Sequence, residues 1–463
     1  MPYSLGIDFG TSGARAIAIP ICDGTQDFTQ SSHQNNWMQC QVSSPTAHLT
    51  GTALANAWRE QLWTLLDSLP IALRRELGAI AINGTSSTVL LANPQGKVLA
   101  GPLMYNDDRG RAGVEEFRPL VPMGSGARSA TLSATSTLAK VWWWWGDHFK
   151  KNWPEPPDAP LIFHQADWLS FCLHGQLYSP LEGQLGGASG GRAISDYHNA
   201  LKLGYDPVKL AYPEPLQCAD FGDSLPHVVA PGRAIAPILP AIAQRFDINP
   251  ACQIVAGTTD SIAAFLASGA SQPGEAVTSL GSTLVLKQLS TVPVNAPEFG
   301  VYSHRLGDRW LVGGASNTGG AVLKQFFSRV ELEQLSQAIN PSQPSPYDYY
   351  PLLKPGERFP VSDPDLAPRL TPRPESDAEF LHGILEAIAR IEAQGYQRLA
   401  DLGADPLTSI KTAGGGANNE IWTKIRQRYF SVPVTAAEQT EAAYGSARLA
   451  AIALANSKSE FSN

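Results

Sequence analysis

The chain opens on an alternating pattern. Tyr3, Leu5 and Ile7 stand between Ser4 and Gly6, and after a small polar turn a second apolar run extends from Ala14 to Pro20. This period of two predicts strand, turn and strand over 3–20. Leu62, Leu65, Leu66, Leu69 and Leu73 then recur at three- and four-residue steps and predict a helix over roughly 50–77. A short apolar run, Ala79–Ile82, reads as a buried strand ahead of Asn83-Gly84-Thr85-Ser86-Ser87-Thr88, and a hairpin pairs Val89–Ala92 with Lys97–Ala100 around Asn93-Pro94-Gln95-Gly96. Helical patterns cover 161–174 and 257–268. Strands alternating with helices define an α/β fold. Within it, the proline-dense 341–377 reads as an irregular excursion and the glycine-rich Gly183–Gly191 as a substrate-side loop. The run Trp142–Trp145 faces every direction of a helix, which favours core and interface packing over a stacking site for sugars or bases.

Composition narrows the class. At 463 residues the chain is long enough for two or three domains, and 43% hydrophobic with 16% charged residues fits a globular protein. A net charge of −8 gives no electrostatic case for nucleic acid or an anionic membrane, so a phosphate ligand must be held by local donors. The five cysteines are scattered and odd in number, without C-x-x-C spacing, which argues for free thiols and against a zinc site. No run of apolar residues is long enough to span a bilayer, and no secretory signal or transit peptide is visible. The expected location is cytoplasmic, with a plastid form left open.

Chemistry concentrates in glycine-rich turns. In Gly6-Ile7-Asp8-Phe9-Gly10-Thr11-Ser12-Gly13-Ala14-Arg15, glycines 10 and 13 leave backbone N–H groups uncovered for a phosphate. Asp8 sits where a Mg²⁺ riding on that phosphate could be reached, directly or through water. An ordinary polar hairpin turn is the competing reading. The letters D-F-G also occur in protein kinases, but the short stretch before Asp8 cannot hold the glycine loop, lysine strand and catalytic loop that must precede them. No Walker A loop occurs. The stretch Glu275–Leu289 repeats the apolar strand, polar turn and apolar strand, so Gly281-Ser282-Thr283 mirrors Gly10-Thr11-Ser12. Two such lobes would clamp a triphosphate. A third cluster, Thr412-Ala413-Gly414-Gly415-Gly416-Ala417-Asn418-Asn419, stands between a strand and a helix starting near Glu420. Its glycines let a flat ligand lie on bare backbone, while Asn419 and Trp422 could supply a hydrogen bond and an apolar wall. It lacks the G-x-G-x-x-G fingerprint of dinucleotide sites. In Val255–Phe265, Asp260 is the only carboxylate among small apolar residues, and it reads either as a helix cap or as a general base for an alcohol nucleophile.

Taken in order, these segments resemble the FGGY carbohydrate kinases, members of the actin-like ATPase superfamily, over about residues 3–454. Asp8–Ser12 is similar to the first phosphate motif, Leu280–Thr283 to the second, and Gly414–Gly416 with Asn419 and Trp422 to the adenosine motif. Tyr105-Asn106-Asp107-Asp108-Arg109 resembles the W-x-D-x-R segment with tyrosine in place of tryptophan. Gln165–Leu169, Ser195–Ala200 and Glu441–Ala447 match further family segments. The resemblance implies two ribonuclease-H-like domains flanking a catalytic cleft: 1–253 for the sugar and first phosphate motif, and 254–463 for the nucleotide. It implies ATP and Mg²⁺, with Asp260 as catalytic base, Asp8 at the metal, and Thr11, Ser12, Gly13, Gly281, Ser282, Thr283, Gly415, Gly416, Asn419 and Trp422 at the nucleotide. Asn83–Ser87 lacks the Met-His pair of xylulose kinases and the Arg-Glu of glycerol kinases. Its small hydroxyls look most like the plant and cyanobacterial group whose implied substrate is D-ribulose, held by Ser86 with Asp8 and Asp260. D-xylulose or another polyol is the alternative acceptor, and an actin- or chaperone-like ATPase without an acceptor is the rival from another class.

Overall fold

A computed structural model describes residues 2–11, 13–21, 38–43, 49–123, 125–148, 160–180, 183–185 and 191–460. Ser12 and most of the loop expected over Gly183–Gly191 lie outside them. The chain divides into two compact units, 1–267 with 441–463, and 268–440.

In the first unit β1 (Tyr3–Phe9) and β2 (Gly13–Pro20) form the expected antiparallel hairpin, closed by the Gly10 N–H donating to the Gly13 carbonyl at 3.0 Å. Next in the chain come β3 (Met38–Ser43), β4 (Leu77–Gly84), β5 (Val89–Ala92), β6 (Val98–Leu103), β7 (Leu161–His164), β8 (Ala234–Pro237) and β9 (Gln253–Thr259). The main sheet runs β8-β9-β4-β1-β2-β3, with β1, β4 and β9 mutually parallel, while β6-β5-β7 form a smaller sheet. The helices used below are α1 (Gly51–Ser68), α2 (Thr137–Trp143), α3 (Gln165–His174), α4 (Tyr197–Ala200) and α5 (Asp260–Ala267).

Three expectations need correction. The helix expected to 77 breaks at Leu69-Pro70 and resumes only as Ile71–Arg75, because proline has no N–H to continue the ladder. The segments 161–174 and 257–268 each begin as a strand, β7 and β9, and turn helical only at Gln165 and Asp260. A short buried apolar run carries no period that separates strand from helix.

The tryptophan run packs as expected. Trp144 is buried, Trp142 lies against Phe117 and Phe221, Trp145 against Phe221, and the Arg109 guanidinium covers Trp143 at 4.7 Å.

The second unit holds β10 (Glu275–Leu280), β11 (Leu284–Ser290), β12 (Tyr302–Leu306), β13 (Arg309–Ser316), β14 (Ser409–Ala413) and β15 (Val434–Ala436) in the order β12-β13-β11-β10-β14-β15. Its helices include α6 (Gly320–Phe326), α7 (Asp377–Asp401) and α8 (Glu420–Gln427). The echo in the sequence becomes an echo of topology. In each unit a hairpin (β1-β2, β10-β11) extends antiparallel on one side to β3 or β13. On the other side it extends parallel to β4 and β9, or to β14 and β15. The proline-dense stretch forms no helix or strand, only isolated bridges.

The chain then returns to the first unit as α9 (Ala442–Glu460). This helix packs against β1 through a glycine that permits no side chain: a Cβ on Gly6 would stand 1.9 Å from the Ala443 carbonyl oxygen and 2.2 Å from the Ala447 nitrogen.

Candidate active site

In the first unit the parallel strands β1, β4 and β9 end together, and their register sets Asp8 beside Asn83 and Asn83 beside Thr258. The next step places Gly84 beside Thr259, and Asp260 opens α5 one residue later. Asp260 accepts the Ser261 N–H at 2.6 Å, so it serves its own helix start. Burial is the main force raising the Asp8 carboxyl to about 6; the charge of Asp260 adds to it and that of Arg15 opposes it. The structure thus brings the two predicted carboxylates within electrostatic reach. Arg15, opposite Asp8 in the hairpin, is ion-paired with Glu441 and donates to Gln41 at 3.3 Å.

Buried polar atoms lacking a protein partner gather at this strand end. They include Asp8 Oδ1, Asn83 Oδ1, Ser87 Oγ, Gln165 Nε2 and Thr259 Oγ1. Native interiors satisfy such groups almost without exception, so a cluster of them calls for a polar ligand or water. Asp8 Oδ1 and Asn83 Oδ1 are both pure acceptors on neighbouring strands, the donor set a hard cation or its water shell would satisfy. Among the described residues no group of three His, Cys, Asp or Glu forms a protein-only metal cage. Asp8 and Asn83 could therefore help hold a hard cation such as Mg²⁺ where phosphate or water supplies its remaining oxygens.

Ser86 is half-buried in a tight turn between β4 and β5, closed by the Thr88 N–H donating to the Thr85 carbonyl at 3.2 Å. Gln165, the first residue of α3, braces this turn by accepting from the Thr85 amide at 3.0 Å and the Thr85 hydroxyl at 3.1 Å. Thr11 is exposed in the β1-β2 turn. Asn83, Gln165 and Thr259 were not foreseen as a site, since strand register unites Asn83 with Thr259 and side-chain hydrogen bonds to Thr85 bring in Gln165.

A buried network lies behind β9. His198 Nδ1 meets Thr258 Oγ1 at 2.7 Å, and Asp196 caps α4 by accepting the His198 and Asn199 amides at 2.8 and 3.1 Å. The Asp196 carboxyl is pushed up to about 7 chiefly by burial, with Asp167 adding and Asn199 and His198 opposing.

In the second unit the Gly281-Ser282-Thr283 turn joins β10 to β11 as expected. The Gly281 and Ser282 carbonyls accept from the Gly320 and Ala321 amides at 2.8 and 3.0 Å, which fixes the turn against the start of α6. The three glycines after β14 divide their roles. Gly414, at φ +83, would drive a Cβ to 2.8 Å from the Leu280 carbonyl oxygen, and Gly416 would meet Leu280 and Trp422 at 2.7 Å. Gly415 faces open space. Asn419 caps α8 by accepting the Trp422 N–H at 3.0 Å and donates to Ser336 at 2.8 Å. Trp422 is buried, its indole N–H donating to the Leu385 carbonyl at 3.1 Å. Both side chains thus shape the glycine turn from inside the protein.

Twin sheets with a hairpin turn at the heart of each make an actin-like ATPase fold, and solved sugar kinases share it. A xylulose kinase from Brucella ovis superposes with a TM-score of 0.77 at 21% identity, covering 98% of this chain and 91% of that one. Residues 276–454 match the model of the FGGY family of carbohydrate kinases, C-terminal domain. The xylulose kinase of Escherichia coli (strain K12) is 22% identical over 91% of this chain and 83% of its own length. The gluconokinase of Bacillus subtilis (strain 168) is 24% identical, and there the chain spans 43% of the relative's length. Over residues 276–454 the chain is thus similar to the FGGY family of carbohydrate kinases, and over nearly its whole length it shares their fold.

Proposed function

We propose that this chain is an ATP-dependent sugar kinase that transfers the γ-phosphate of ATP to a hydroxyl of a ketopentose, D-ribulose in the first instance. The observation that carries the reading is the Asp8–Asp260 carboxylate pair at a strand end crowded with unpartnered buried polar atoms. The first unit holds the acceptor and the second the nucleotide. Asp260 accepts the hydroxyl proton as the oxygen attacks phosphorus, and the transfer is otherwise positioning and charge neutralisation. Backbone amides of Thr11, Ser12 and Gly13 and of Gly281, Ser282 and Thr283 serve the phosphates, and Gly415 and Gly416 lie under the adenosine. Asp8 would hold Mg²⁺ directly or through water, and the ion would supply neutralisation of phosphate charge. Ser86, Gln165 and Thr259 offer the polar contacts a polyol needs, and such a site rejects acceptors that lack a matching hydroxyl.

The small Asn83–Ser87 turn favours D-ribulose, and the xylulose kinases among the relatives favour D-xylulose. A coupled ADP-release screen across pentuloses, pentitols, hexoses, gluconate and glycerol separates them. Stimulation by a pentulose supports the proposal. Steady ATP hydrolysis that no polyol stimulates would establish the acceptor-free ATPase instead.

A further inference from the structure

One buried charge takes no part in the chemistry above. Lys140 on α2 is fully buried, and its Nζ donates to the Ser87 carbonyl at 2.7 Å and to the Thr135 carbonyl at 3.0 Å. A lysine is among the residues least often found inside a protein, and it stays there only where its donors are matched. Burial lowers its ammonium to about 7, with Lys202 and Arg109 adding to the effect and Asp107 opposing it. In the neutral form its two N–H groups equal in number the two carbonyls they face.

The carbonyl it grips belongs to a strained residue. Ser87 has φ +68, a conformation that a glycine would adopt freely and a serine adopts only when its surroundings impose it. It occupies the third position of the Thr85–Thr88 turn, where glycine is usual once φ is positive. From the other side the turn is braced by Gln165, whose amide N–H also donates to the Thr88 carbonyl at 3.0 Å. The platform beneath Lys140 is itself fixed. Gly110 packs so closely on α2 that a Cβ there would stand 2.0 Å from the Ala139 carbonyl oxygen, and Arg109 stacks on Trp143.

We infer that Lys140 is the positioning residue of the acceptor turn: by holding the Ser87 carbonyl it keeps Ser87 in the left-handed conformation and so sets where Ser86 meets the sugar. The inference rests on the sugar-kinase reading of this site. Its chemistry is specific to the acceptor, because the residues assigned to phosphate and adenosine lie on other turns.

The test is steady-state kinetics on full-length Lys140→Met and Lys140→Met/Ser87→Gly, using the sugar that most stimulates wild type, with thermal melting alongside. Lys140→Met is expected to raise the sugar KM about tenfold or more, with kcat and the ATP KM changed less than about threefold. Glycine at 87 adopts the positive φ unaided, so the double variant should recover a large part of the sugar KM. The inference is overturned if the sugar KM stays within about twofold of wild type, or if kcat and both KM values move together. It is equally overturned if glycine at 87 restores nothing, or if neither variant folds, because either result makes Lys140 purely structural. A wild type that no sugar stimulates would instead refute the kinase reading, whatever the variants do.

Discussion

Arg426→Met tests the buried framework that carries both glycine turns of the second unit. Arg426 on α8 is fully buried and forms a two-pronged pair with Glu392 on α7, at 2.6 and 2.7 Å, while donating to Thr412 on β14 at 2.7 Å. Thr278 on β10, directly opposite Thr412 in the sheet, donates to the same Glu392 carboxylate and meets the Tyr396 hydroxyl at 2.8 Å. One network therefore fastens the strand leading to Gly281 to the strand leading to Gly414. Methionine keeps much of the volume but leaves Glu392 buried without its cation. Removing one partner of a buried pair costs about 3–5 kcal/mol, chiefly the desolvation of the charge left behind. For a unit of this size that corresponds to a fall in Tm of roughly 6–20 °C. Calorimetry or urea unfolding followed by tryptophan fluorescence reads it. Hydrogen exchange should show the loss concentrated in β10, β14 and α8. Replacing both partners, as Arg426→Met/Glu392→Leu, removes the stranded charge and should regain most of the stability. A loss below about 1 kcal/mol in the single variant would refute the reasoning, as would a double variant no more stable than the single.

Asp260→Ala should lower phosphoryl transfer by about 10²–10⁴-fold with ATP affinity nearly unchanged, and a variant keeping a tenth of the wild-type rate would remove the base assignment. Asp196→Asn addresses pH. The raised Asp196 carboxyl keeps its proton in the folded chain up to about 7, whereas an unfolded aspartic acid releases it near 4. The folded state thus binds the extra proton between these values, and this contribution to stability falls as pH rises through that window. The asparagine variant should show a shallower decline from about pH 4 to 7 in urea titrations; an unchanged slope counts against the assignment. Burial pushes the Cys172 and Cys252 thiols up to about 12, while Cys218 is exposed. A thiol reagent should modify Cys218 in the native protein and reach the buried Cys252 only on unfolding. Mass spectrometry showing early labelling of Cys252 would contradict this.

The hairpin turns were legible because glycine and small polar residues flanked by apolar runs have few alternatives. Gly10–Gly13 and Gly281–Thr283 declare themselves locally. The strands β7 and β9 were absorbed into the helices that follow them, since Leu161–His164 and Gln253–Thr259 lack alternation when both faces are covered. Asp8 and Asp260 could each be singled out from their neighbours. Asn83, Gln165 and Thr259 could not, because Asn83 and Thr259 are united by the parallel register of distant strands and Gln165 by its hydrogen bonds to Thr85. Lys140 was hidden for a related reason: nothing in its neighbours along the chain shows that its side chain reaches the Ser87 carbonyl. Asn419 and Trp422 were marked as ligand contacts, and the structure gives them partners within the protein, Ser336 and Leu385.

The packing of α9 on Gly6 also sets a timetable. β1 leaves the ribosome well before the helix that covers its Gly6 face, Ala442–Glu460, has been made. At bacterial and eukaryotic elongation rates this leaves an apolar strand waiting for roughly 20–90 s. The intervening 268–440 unit contains its own sheet and core, so it can mature while the first unit stays incomplete. In the nascent chain the Gly6 face of β1 therefore stays uncovered until that helix has been made.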